Sequence, residues 1–124
     1  MSLPLSVVLA LLLSSTFAVA SQTLFKHTST LVTTHGEAVS FVGRFIELLQ
    51  MPSFIFALVL YGLAFVVWVW LLSKDSLSVL YPIGLSLNVV LALASAHFFL
   101  SESISTTQII GVCIIIAGIF IVAR

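Results

Sequence analysis

Charge is nearly missing from this chain, which has four Lys and Arg and four Asp and Glu in 124 residues, for a formal net charge of zero. Soluble domains carry about a quarter of their residues charged. Here the share is 6%, which excludes a water-facing surface around an apolar core. With no basic cluster, nucleic acid and anionic membrane surfaces have no electrostatic hold on it. A single cysteine, Cys113, excludes an intrachain disulfide and leaves the redox compartment unread. Ser-His-Asp order, a Gly-rich phosphate loop and paired carboxylates are all missing, so nothing points to an enzyme or a bound cofactor. No pair of His, Cys or acidic residues has metal-ligand spacing. His97 lies five positions before Glu102, too far round a helix to share an ion with it, and His27 and His35 read as solvated or interfacial.

What is present is apolar: 61% of residues are hydrophobic and the mean hydropathy is +1.34. Four uncharged runs, 3–25, 53–73, 76–100 and 105–123, hold most of the chain, and all eight charged side chains fall outside them. At about 1.5 Å rise per residue, about 20 residues cross a hydrocarbon core of roughly 30 Å. Helices satisfy every backbone N–H and C=O within the segment, as lipid requires. The expected fold is therefore an all-α integral membrane protein. It forms one domain over 1–124, with four transmembrane helices at about 3–25, 53–73, 76–100 and 104–122.

Ala18-Val19-Ala20 before Ser21 has the small-x-small form of a signal-peptide cleavage site. No Lys or Arg precedes the run, and the run is longer than a usual signal core, so we read it as a retained helix. Residues 28–40 are rich in Ser and Thr and read as a loop. Residues 41–50 follow, with apolar side chains at helical spacing and Arg44 and Glu47 on the other side. This is expected to be a short interfacial helix between the first and second spans, or an extension of the second span, with a break at Pro52. Trp68 and Trp70 suit an aromatic belt, and Lys74-Asp75 makes a tight link between antiparallel neighbours.

Four crossings leave Lys74 and Arg124 on one side of the bilayer and Lys26 and Arg44 on the other. Orientation follows an excess of Lys and Arg in cytoplasmic loops, and a two-against-two balance gives none. The expectation is insertion both ways and an antiparallel homodimer, a plan related to the inverted repeats of larger transporters. Gly111, Ala117 and Gly118 put small residues on the last helix, where close helix packing or a dimer contact needs them.

Polar groups enter the third run in order. Tyr81, Asn88, Ser95 and Glu102 recur every seven residues and fall on one stripe, turned toward protein or water. Pro82 and Gly84 lie near its start, where freed carbonyls can meet a ligand or a neighbouring helix. On the first run Ser15, Gln22 and Lys26 share a face, and the Lys26 stem can run along apolar surface to a headgroup phosphate. The candidate substrate path is thus Gln22, Lys26, Tyr81, Gly84, Asn88 and Ser95.

In this order, Gln22-x-x-x-Lys26, Tyr61-Gly62 with Trp68, Tyr81-Pro82 and Phe98-Phe99-Leu100-Ser101-Glu102, then Ile109-Ile110-Gly111 and Ala117-Gly118, resemble the small four-helix members of the drug/metabolite transporter superfamily, EamA-like or small multidrug resistance-like. The likeness covers most of the chain apart from residues 27–50. Within that group, small multidrug resistance exporters use a membrane glutamate eight residues before the lysine, where this chain has Ala18. They also have a tryptophan three residues after the tyrosine, where it has Gly84. The flippase subunits that move aminoarabinose linked to undecaprenyl phosphate match better, at Gln22, Lys26, Tyr81, Pro82 and Glu102. The resemblance implies a multi-pass protein of a bacterial inner membrane, working as a homodimer or as a heterodimer with a similar small chain. Its partners would be membrane lipid and an amphipathic or lipid-linked substrate. Proton-coupled export of hydrophobic cations is the alternative, and a non-transporting subunit or assembly factor is another.

Overall fold

The computed structural model describes residues 3–32 and 40–122. His35 and Arg124, both used in the sequence reading, lie outside the described residues. Among those residues there are five helices and no strand: α1 Leu5–Val32, α2 Phe41–Leu49, α3 Pro52–Leu72, α4 Leu77–Phe99 and α5 Thr106–Val122. α1, α3 and α4 are long and apolar enough to cross a bilayer, while the 17 residues of α5 make a shorter apolar helix.

The first helix runs seven residues past its expected end at 25, because the Ser and Thr residues read as loop are used inside it. Ser29 and Thr30 donate their hydroxyls back to the Lys26 and His27 carbonyls at 2.9 and 2.7 Å. Thr28 is fully buried and its hydroxyl meets that of Ser53 on α3 at 3.0 Å. A hydroxyl satisfied on its own helix or on a neighbour no longer competes with the helical backbone. Ala18-Val19-Ala20 sits inside α1, with Val19 and Ser21 buried.

The exterior is as apolar as the interior, and small hydroxyl side chains are buried beside apolar ones. Ser14, Ser15, Ser21 and Thr28 are buried, while Leu9, Ile55, Phe56, Val59, Ile114 and Phe120 face outward. In lipid, apolar side chains gain nothing by leaving the surface, so helices join where small residues let backbones approach. α1 buries Val7, Ser14, Ser21 and Thr28 at seven-residue spacing, against Ala57, Ala64 and Leu71 on α3, also seven apart. That period matches a left-handed crossing. Ser14 locks it by donating to the Ala64 carbonyl at 3.0 Å. At one end of the bundle Val7, Leu11, Leu71 and Leu80 bring α1, α3 and α4 into one apolar cluster.

Ser40 caps α2, accepting from the Gly43 amide at 3.3 Å, and Pro52 takes the first turn of α3, where its missing N–H costs nothing. α2 and α3 are thus separate helices. Phe45 packs edge-on to Phe54, whereas Phe41, Val42 and Ile46 point away from the bundle.

The tight link at Lys74-Asp75 does not make α3 and α4 close neighbours along their lengths. Both pack on α1, α3 more extensively, and they touch each other at few points. The side-chain contacts run one way: Ser14 meets Ala64 and Thr28 meets Ser53, whereas Thr23 meets Ser95 and Lys26 meets Glu102. α1 is therefore antiparallel to α3 and parallel to α4. α5 contacts α4 and buries none of its residues.

Candidate functional site

Because α3 and α4 diverge above α1, a cleft of about 240 Å³ opens between them. Ser14, Ser15 and Ala18 on α1 form its floor. Tyr61 and Trp68 stand on the α3 side, and Tyr81, Gly84 and Asn88 on the α4 side. None of the residues lining it carries a formal charge. Ala18, the position where a membrane glutamate would define a cation and proton site, is part of this floor.

Trp68 is not part of an outward aromatic belt. Its ring lies over Gly84, where a Cβ would meet Cζ3 at 3.0 Å and Cη2 at 3.2 Å. It also meets Tyr81 edge-on, with ring centroids 6.4 Å apart. The glycine thus makes room on α4 for an aromatic ring supplied by α3. Trp70 does face outward, with the Lys74 ammonium 5.2 Å from its ring.

The seven-residue stripe on α4 runs alongside α1. Ser95 shares a hydrogen bond with the Thr23 hydroxyl, and Glu102 forms an ion pair with Lys26. Asn88 differs: its Oδ1 is buried and has no partner. Gln22 and Lys26 line a second cleft of about 180 Å³ beside Ala92 and Ala96. Of the six path residues read from sequence, Tyr81, Gly84 and Asn88 meet in the first cleft, Gln22 and Lys26 meet in the second, and Ser95 is used in helix pairing.

The turn after α4 aims the Glu102 carboxylate. Ser101 takes the left-handed conformation, φ 53°, just beyond the helix, the place where glycine is usual. The Glu102 amide then donates to the Ala96 carbonyl at 3.0 Å, and the His97 Nδ1–H donates to the Glu102 carbonyl at 3.1 Å. His97 is therefore a turn residue. Pro82, inside α4, deprives the Ser78 carbonyl of its helical donor.

Sequence reading gave Ser14, Thr23 and Trp68 no place in the path, and took Trp68 as a boundary residue. The heptad 7, 14, 21, 28 was a signal for the first, but only the packing singles out the other two. Gly111 and Gly118 face open space, where a Cβ would touch nothing within 4 Å.

A bundle with buried hydroxyls, an apolar exterior and a neutral cleft defines a small multi-helix membrane protein. No family model and no solved structure matches the chain. Three curated relatives do, each described as a probable 4-amino-4-deoxy-L-arabinose-phosphoundecaprenol flippase subunit ArnE. That of Aeromonas hydrophila is 37% identical over 70 residues, 56% of this chain and 60% of the relative. That of Pseudomonas fluorescens is 37% identical over 63 residues, 51% and 54% of the two chains. That of Enterobacter sp. is 38% identical over 65 residues, 52% and 60%. The matches thus span little more than half the length of these relatives. The resemblance to small flippase subunits of this kind is borne out over about half of the chain, and it is to proteins named for transport rather than for enzymatic chemistry. With three apolar helices of spanning length and bacterial relatives of this kind, the chain is a multi-pass protein of a bacterial inner membrane.

Proposed function

We propose that this chain is one subunit of a dimeric inner-membrane flippase or transporter for a small amphipathic solute, most specifically one linked to a polyprenyl phosphate. The observation that carries this reading is the mid-span cleft lined by neutral dipoles and aromatic rings, with Gln22 and Lys26 lining a second cleft between α1 and α4. A lipid-linked headgroup can move along such a path while its tail stays in the bilayer, and it needs no membrane carboxylate. Lys26 would meet the phosphate in exchange for Glu102. The relatives' printed names supply the chemical class.

In this reading α5 is the fourth crossing and α2 lies in the interface, its apolar face turned to lipid. One chain leaves the cleft open on one side and the α5 glycines uncovered, so a second small chain completes the path. The balanced charges favour an antiparallel homodimer, and the word "subunit" in the relatives' names favours a heterodimer. A reporter fused after Arg124 separates them: activity on both sides of the membrane supports dual insertion, and activity on one side overturns it.

Export of hydrophobic cations is the second reading, favoured by Tyr61, Trp68 and Tyr81, whose rings could hold a cation. Purified protein in proteoliposomes should turn a polyprenyl-phosphate-linked sugar between leaflets. Efflux of a quaternary ammonium dye that consumes a pH gradient, with no movement of the lipid, would overturn the proposal. Movement of neither by the assembled dimer would favour a non-transporting subunit or assembly factor.

A further inference from the structure

Lys26 and Glu102 form the one ion pair among the described residues, and both side chains stay open to a ligand, at 55% and 39% exposure. The two halves of the pair are built differently. Glu102 is held through its backbone: its amide donates to the Ala96 carbonyl, its carbonyl accepts from His97, and Ser101 before it takes a left-handed conformation that side chains rarely adopt. Lys26 reaches the carboxylate on a flexible four-carbon stem from α1, beside the cleft that Gln22, Ala92 and Ala96 also line. The lysine is therefore the arm that moves, and the carboxylate is the fixed point.

An exposed pair of this kind is weak, so an anion can draw Lys26 away at little cost. Glu102 then faces that anion with no other cation paired to it among the described residues, and like charges at that range repel. A ligand with its own ammonium beside the phosphate removes the conflict. The ammonium replaces Lys26 on the carboxylate while the phosphate takes the lysine, and every charge keeps a partner.

We infer that Glu102 is a specificity-determining residue of the headgroup site: it accepts from a primary ammonium on the same headgroup whose phosphate binds Lys26, and it disfavours phosphates that carry no amine. This deepens the proposed function and rests on it for the phosphate at Lys26. Amine-bearing phospholipids of the bilayer and amino-sugar phosphates share this chemistry.

Native mass spectrometry of the purified full chain reads binding of dihexanoylphosphatidylethanolamine against dihexanoylphosphatidylglycerol, which has the phosphate without the amine. The ethanolamine lipid should bind about tenfold tighter, the size of one charge-assisted hydrogen bond. Glu102→Gln should abolish that preference, and Lys26→Gln should weaken both lipids. Should the Glu102→Gln protein fail to fold, Glu102→Ala carries the same expectation. Competition by glucosamine 1-phosphate but not by glucose 1-phosphate would assign the site to a sugar-phosphate headgroup. A preference that neither sugar phosphate disturbs would assign it to bilayer phospholipid, and both results uphold the role of Glu102. Glycerol lipid bound as tightly as ethanolamine lipid, or a preference unchanged in both Glu102 variants, overturns the inference. Failure of the transport reading looks different: the preference depends on Glu102, yet proteoliposomes move no lipid-linked sugar.

Discussion

Trp68 of α3 covers Gly84 of α4 so closely that a methyl group on the glycine would stand 3.0 Å from the indole Cζ3. Two helices that otherwise diverge are matched at this point by the largest side chain on one and the smallest on the other.

Gly84→Ala tests that fit. In an open helix the change would gain up to about 1 kcal/mol of helix propensity. Here the indole is held by Tyr81 on another side, so overpacking should dominate, with a net loss of about 1–2 kcal/mol. Unfolding in detergent followed by tryptophan emission reads both the loss and the displaced ring. A gain in stability would mean that the ring moves freely.

Ser14 offers a graded test of the α1–α3 seam. Ser14→Ala removes only the bond to the Ala64 carbonyl, and membrane hydrogen bonds average about 0.6 kcal/mol, so the cost should stay under about 1 kcal/mol. Ser14→Leu instead forces two backbones apart and should destabilise by several times as much. Equal effects in the same unfolding measurement would show that the site tolerates bulk.

Lys26 and Glu102 are 55% and 39% exposed on their side chains, so the pair should contribute less than about 1 kcal/mol. Exchanging them, Lys26→Glu with Glu102→Lys, should leave stability within that margin. Lipid movement should fall, because the cation is then carried by the turn after α4 rather than by α1. Lys26→Arg should retain movement. Full activity in the exchanged protein would remove Lys26 from the path.

Gly111→Leu and Gly118→Leu alter open faces of α5, and each subunit should keep its own helical fold. If α5 is the contact between subunits, cross-linking in the membrane should show the dimer lost in both variants. A dimer unaffected by either change would put the contact on another helix.

Long uncharged runs, bounded by the few charged residues, determined helices and a membrane setting without reference to any fold, since lipid leaves the backbone no other common solution. Spacing alone also revealed the stripe Tyr81, Asn88, Ser95 and Glu102, because a seven-residue period keeps side chains on one side of a packed helix. What those side chains meet was decided by tertiary structure. Thr28 reads as loop until Ser53 stands opposite it. Trp68 reads as a boundary marker until Gly84 receives it, and Asn88 is indistinguishable from Ser95 until one is paired and the other is not. Composition is a property of single segments and survives in the one-dimensional pattern. Complementarity between α1, α3 and α4 depends on crossing and register, which appear only when the helices are brought together.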